Sequence, residues 1–228
     1  MRHLFGILGL LFISAMFSFV SCEKSTFKLN GILSIGYYDG DTVFLRQYQN
    51  DSLMNIGFTT IKEGAFELEG SAAEPYMAGL YLNSVLLVPL VVEPGGICVK
   101  LTGEEASVSG TPLNDALYEY IDRVDSFEVS LAEISRMEAR LIMDGTDANA
   151  AKGFVERTFL KTNLEMELYI DNFIKGHYND ILGPFVFRQW YGQMLYPMSS
   201  ERVKNIMQGA PECFKEHQYV KGVVSTDN

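Results

Sequence analysis

The sequence predicts an α+β fold: an N-terminal antiparallel β-sandwich or open barrel followed by an α-helical region. Three observations lead there. Between Thr26 and about Gly110 the apolar residues come in short runs that alternate with polar ones and are separated by Gly-containing turns. Beyond Gly110-Thr111-Pro112-Leu113-Asn114-Asp115 the apolar spacing lengthens to that of a helix. The chain is also 47% hydrophobic and 12% aromatic, enough to pack a core in either region.

The elements follow in order. Met1-Arg2-His3 is a short basic start, and Leu4 to Val20 carries no charge and is rich in Leu, Phe and Ile. That run is short for a membrane-spanning helix and has the layout of a secretory signal. It ends in Phe19-Val20-Ser21-Cys22, which resembles the lipobox of bacterial lipoproteins, with Phe19 where Leu is commoner. The resemblance implies that the Cys22 thiol is alkylated by a diacylglyceryl group and that cleavage leaves Cys22 as the mature N-terminus. Residues 1–21 are then a lipoprotein signal peptide and residues 22–25 a lipidated tether. The expected location is the cell envelope, with the lipid anchor in a membrane, outer membrane or periplasm-facing. Each buried methylene contributes about 0.8 kcal/mol, so two or more acyl chains make a stable anchor.

Residues 26–110 read as the β domain. Phe27, Leu29 and Gly31 alternate with polar neighbours, Tyr38-Asp39-Gly40-Asp41 breaks the run, and Thr42-Val43-Phe44-Leu45 resumes it. Asp-Gly between apolar stretches signals a hairpin, since Gly accepts the positive φ of a tight turn. The device recurs at Glu63-Gly64, after which Phe66 and Leu68 share one face and Glu67 and Glu69 the other. Tyr76 to Leu82 alternates again, and the nearly unbroken apolar run Val85 to Val92 predicts a strand buried on both faces. Glu93-Pro94-Gly95-Gly96 turns the chain; Ile97, Val99 and Leu101 then oppose Cys98 and Lys100.

Residues 111–224 read as the helical region, ahead of a loose tail at 225–228. Thr111 suits an N-cap and Pro112 the first helical turn, where a missing N–H costs nothing. Leu117, Tyr120, Ile121, Val124 and Phe127 make a stripe that extends to Ile134, Met137 and Leu141. Asp144-Gly145-Thr146-Asp147 interrupts, and a second long helix carries Val155, Phe159, Met166, Ile170, Phe173 and Ile174 as far as Gly176. Shorter helices are expected from Pro184 and near Ser199, with a last one from about Pro211 to Val220.

The formal net charge of -11 is spread along the chain and excludes a nucleic-acid surface, which needs clustered Lys and Arg. Beyond the signal segment only His177 and His217 remain, and there is no nucleotide-binding Gly loop, His-Glu-x-x-His, Gly-x-Ser-x-Gly or Cys-x-x-Cys. Asp144, Asp147 and Asn149 lack the calcium-loop spacing and suit an interhelical loop. Cys213 and His217 are one helical turn apart but would need ligands from elsewhere to bind a metal. Tyr37-Tyr38 and Trp190-Tyr191 suit either core packing or stacking on a sugar or peptide. Cys98 and Cys213 are expected to be free thiols, buried or partly so. No catalytic, cofactor-binding or metal-binding residue is assigned; Cys22 is the one site residue, for lipidation.

Taken in order, five segments resemble an uncharacterised bacterial domain. They are Leu29-Asn30-Gly31-Ile32; Asp39-Gly40 with Val43-Phe44-Leu45; Gly64-Ala65-Phe66-Glu67-Leu68-Glu69-Gly70; Glu93-Pro94-Gly95-Gly96-Ile97; and Gly110 to Asp115. That domain commonly stands behind a lipoprotein signal, N-terminal to thioredoxin-like or alkyl-hydroperoxide-reductase-like domains. The likeness covers about Thr26 to Tyr120, and the expectation is that no thioredoxin-like domain follows it here. The resemblance carries over no catalytic residue, because the family's redox chemistry belongs to the following domain. The expected function is a non-catalytic envelope lipoprotein, an interaction or ligand-binding module accessory to a separate thioredoxin-like protein. A thiol-disulfide or peroxide protein using Cys98 or Cys213, or its truncated relic, is the alternative from another class; a carbohydrate or peptide binder is the third.

Overall fold

In the computed structural model, residues 25–34, 38–49, 52–103, 105–192 and 198–224 are described. Cys22, the signal segment, Tyr37 and the tail 225–228 lie outside the described residues. Among the described residues, the first half of the chain forms eight strands. In order they are β1 (Thr26–Leu33), β2 (Thr42–Gln49), β3 (Ser52–Thr60), β4 (Ala65–Ser71), β5 (Tyr76–Leu82), β6 (Val85–Val92), β7 (Gly95–Leu101) and β8 (Ala106–Ser109). They form two four-stranded sheets, one ordered β4-β1-β7-β8 and the other β3-β2-β5-β6. Leu29, Leu33, Ile97 and Leu101 of the first sheet face Val43, Leu45, Leu80 and Leu90 of the second in one buried cluster. Sheet pairing is antiparallel except for β1 and β7, which run parallel with Leu29 beside Ile97. No turn announces that contact, because its partners are far apart in the chain.

Three strands differ from the sequence reading, one of them the four-residue β8 at the edge of the first sheet, which the alternation does not announce. The Ser52 to Thr60 segment shows no clean alternation, yet it pairs with β2 through a bulge at Leu45/Arg46 and forms the edge of the second sheet. Strand β6 is an edge too, and only its C-terminal half is buried throughout: Leu90, Val91 and Val92 are fully covered, whereas Val85 and Leu86 are exposed. The apolar run therefore does not mark a strand covered on both faces along its length. Its covered end is the one against which the first helix begins.

Among the described residues six helices follow: α1 (Pro112–Met143), α2 (Ala148–Gly176), α3 (Leu182–Tyr191), α4 (Ser200–Gly209), α5 (Glu212–Lys215) and α6 (Gln218–Val224). The two long ones pack as a hairpin, and Tyr120, Phe127, Ile170, Ile174, Phe187 and Phe214 belong to a second buried cluster. Asp147 starts α2 by accepting from the backbone N–H groups of Asn149 and Ala150 at 3.0 and 3.1 Å. The helix expected from Pro211 to Val220 is split in two. His217 Nδ1 accepts from the Tyr219 N–H at 3.2 Å, which gives the break its own side-chain partner. Among the described residues, no helix is long and apolar enough to cross a membrane.

Sheet and helices are joined by a polar clamp. Thr111 stands at the N-cap of α1, but its hydroxyl does not cap the helix backbone. Instead Glu93, from the turn after β6, accepts the N–H groups of Leu113 and Asn114 at 2.9 and 3.2 Å. A carboxylate there meets both the orphan donors and the positive end of the helix dipole. The fully buried Asn114 side chain accepts from Val91 N–H at 2.9 Å and donates to Val91 C=O at 2.7 Å, taking the place of a neighbouring strand at the edge of β6. Its amide also donates to Thr111 Oγ1 at 2.8 Å, and Tyr118 donates to Pro89 C=O at 3.0 Å.

Candidate interaction surface

The residues singled out for chemistry take structural posts. Asp144 is the C-cap of α1 and Asp147 the N-cap of α2. Trp190 is buried and donates from Nε1 to the Tyr120 hydroxyl at 2.5 Å inside the helical core. Burial holds the Tyr120 phenol protonated, with its pKa pushed well above the usual value, against the opposing pull of the Trp190 N–H. Tyr38 packs half-buried against the β core. His177 pairs with Asp180 at 2.8 Å and lies 4.3 Å from the Phe173 ring. Among the described residues, no group of three or more His, Cys, Asp or Glu is placed to hold a metal ion.

Both described cysteines are free and exposed, contrary to the burial expected of them. Cys98 has the outward parity on β7, and the outer face of the first sheet is not covered by the helices. It stands in a row with Asn30 and Ser109, in an open groove of about 810 Å³ also lined by Lys100, Glu105 and Ser107. Ile32, Ala65 and Phe66 also line the groove, and Lys100 is already paired with Glu105 at 2.5 Å. Cys213 lies at the rim of the helical region, 3.5 Å from Asn179 Oδ1, in a shallow depression it shares with His217. Burial lowers the His217 pKa, so its ring tends to be neutral.

The outer face of the second sheet is different in kind. Register places Phe58, Phe44, Tyr81 and Leu86 side by side across its four strands. The Phe44 and Phe58 rings are 6.2 Å apart, and the Arg46 guanidinium sits 4.6 Å from the Phe44 centroid and 5.1 Å from that of Tyr81. Arg46 Nε also donates to Asn55 Oδ1 at 2.8 Å, which fixes the cation over the rings. Gly79 keeps this row dense, since a Cβ there would come within 2.6 Å of Leu86. Tyr48 and Leu53 pair next in register, and all of this leaves large apolar side chains in water: Phe58 is 71% exposed, Tyr48 59% and Leu86 49%. Arg46, Tyr48, Leu53 and Leu86 continue into a cleft of about 220 Å³ closed by Phe185 of α3 and Tyr219 of α6.

The sequence reading passed over this surface. Its signal is the segment Leu53-Met54-Asn55-Ile56-Gly57-Phe58, which is apolar at positions of both parities, so no single buried face can absorb it.

Residues 27–117 match the family model of a domain of unknown function (DUF4369). The resemblance read from the ordered turn motifs thus holds over this segment. The matched segment spans both sheets from the second residue of β1 and ends at Leu117, inside the start of α1. The end point has a physical sense, because Asn114 and Leu117 belong to the β core rather than to the helical one. The exposed row Phe58-Phe44-Tyr81-Leu86 lies wholly within the matched segment, whereas the cleft walls Phe185 and Tyr219 lie beyond it. No curated protein matches the chain.

Proposed function

We propose that this protein is an envelope lipoprotein, anchored through Cys22, that serves as a non-catalytic interaction module. Its docking face is the outer face of the second sheet. One observation carries this reading: four apolar and aromatic side chains stand in register under a fixed arginine, Phe58 and Leu86 exposed and Phe44 and Tyr81 half-buried, while β2, β5 and β6 already build the core with their opposite faces. Contiguous exposed apolar area of this kind marks a contact surface. An arginine among aromatic rings adds the residue types that dominate binding energy. The partner we assign is a separate thioredoxin-like envelope protein, since the domain resembled here commonly stands beside such a module.

Two measurements test the reading. Intact-mass analysis of the membrane fraction should show a lipid-sized increment on a chain beginning at Cys22, abolished by Cys22→Ala. An unlipidated chain, or one that keeps residues 1–21, overturns the anchor. Cross-linked pull-downs from the same membranes should enrich a thioredoxin-like protein with the wild type and lose it with Phe58→Asp. Phe58 is mostly solvent-exposed, so the variant should melt within about 0.5 kcal/mol of the wild type. Enrichment that is absent, or unchanged in the variant, rejects this docking face.

A further inference from the structure

We propose that the solvent-facing ridge of α2 is a self-association surface, on which a second copy of this chain docks antiparallel about a twofold axis at Leu164. Leu160, Leu164 and Leu168 recur every four residues and are 66%, 55% and 52% exposed. The opposite side of α2 is spent: Ala151, Val155, Met166, Ile170 and Ile174 are buried in the fold. Residues four apart form one ridge of a helix surface, the feature that packs into a neighbouring helix.

An apolar ridge alone does not name its occupant; the charges do. Within seven residues of Leu164 the charges on α2 are cationic before it and anionic after it, with Glu156 and Lys175 farther out. Arg157 precedes Leu164 by seven residues and Asp171 follows by seven; Lys161 precedes by three and Glu167 follows by three. In a twofold antiparallel pair each position before the axis faces its mirror position after it on the other copy. Leu164 then meets Leu164, Leu160 meets Leu168, Arg157 approaches Asp171 and Lys161 approaches Glu167, each contact made twice. A parallel pair would instead set Arg157 on Arg157.

The charges differ in how far they are already engaged. Arg157 is exposed and forms no ion pair among the described residues. Lys161 is held by Glu165 at 3.8 Å in a solvent-exposed contact worth little. At the other end Glu167 and Asp171 share the single guanidinium of Arg202, at 3.4 and 2.6 Å. Two carboxylates on one cation leave a net negative charge at that end, presented mainly by Glu167, whose side chain is 35% exposed against 14% for Asp171.

Disulfide trapping of the full chain in the membranes of an expressing host tests this, in a Cys98→Ser, Cys213→Ser background that retains Cys22. Leu164→Cys lies on the axis and should oxidise to a species of twice the chain mass. Leu160→Cys should not link to itself, because its copies stand about 12 Å apart along the helices, beyond disulfide reach. A mixture of Leu160→Cys and Leu168→Cys chains should link. Adding Arg157→Glu should cut the Leu164→Cys dimer yield several-fold. The proposal is overturned if Leu164→Cys stays monomeric, if Leu160→Cys links to itself equally well, or if the product contains a different protein.

Discussion

Asn114→Ala should be among the most damaging single substitutions in this protein, although Asn114 touches no ligand and lies in a turn of helix. The side chain is fully buried and makes three hydrogen bonds. Its removal strands the N–H and C=O of Val91, a residue that is 0% exposed, on an edge strand with no further strand beside it. Each buried polar group left without a partner costs about 1–3 kcal/mol, so the two together cost about 2–6 kcal/mol. The Thr111 hydroxyl and the small cavity add to this. The expected loss is about 4 kcal/mol, a large part of the roughly 5–15 kcal/mol that stabilises a typical domain. Urea unfolding followed by far-ultraviolet circular dichroism should show the midpoint falling with the slope unchanged. Melting should drop by on the order of 10 °C for a chain of this size. Asn114→Asp is the control: it still accepts from Val91 N–H but turns a carboxylate toward Val91 C=O, and it should be no more stable than the alanine variant. A loss below about 1 kcal/mol for Asn114→Ala would refute the clamp, because a single exposed hydrogen bond would explain it.

Other outcomes follow from packing and titration. Gly31 lies opposite Phe66, whose ring would come within 1.9 Å of an added Cβ. Gly31→Ala should therefore cost about 1–3 kcal/mol by overpacking, and Phe66→Leu in the same chain should restore part of it; equal stability of single and double variants would deny the coupling. Burial lowers the folded-state pKa of His217 below its ordinary 6.5. The unfolded chain then takes up the proton first as pH falls, so this contribution is full above about pH 6.5 and is lost on acidification toward the folded pKa. Wild-type melting should fall more steeply than that of His217→Gln between pH 7 and 5, and parallel curves would contradict the assignment.

Much of the architecture was legible locally. Alternation and Gly turns place six of the eight described strands, all but β3 and the four-residue β8, and the change of period after Gly110 places the two long helices, because backbone geometry converts residue spacing into a face. The turn motifs were legible as turns but not as partners. Nothing in Glu93-Pro94-Gly95-Gly96 says that Glu93 reaches the start of α1, since that contact exists only once β6 and α1 are adjacent. Strand β3 was missed because its apolar residues fall on both faces, a pattern that makes sense at a sheet edge and nowhere in a hairpin read alone. The candidate surface was invisible for the same reason. Phe58, Phe44, Tyr81 and Leu86 are scattered in sequence, and only strand register brings them into one row. The sequence by itself determined which residues have an inside and an outside. Tertiary structure decided which outsides remain in water, because exposure depends on which neighbour the fold places, or leaves unplaced, against each face.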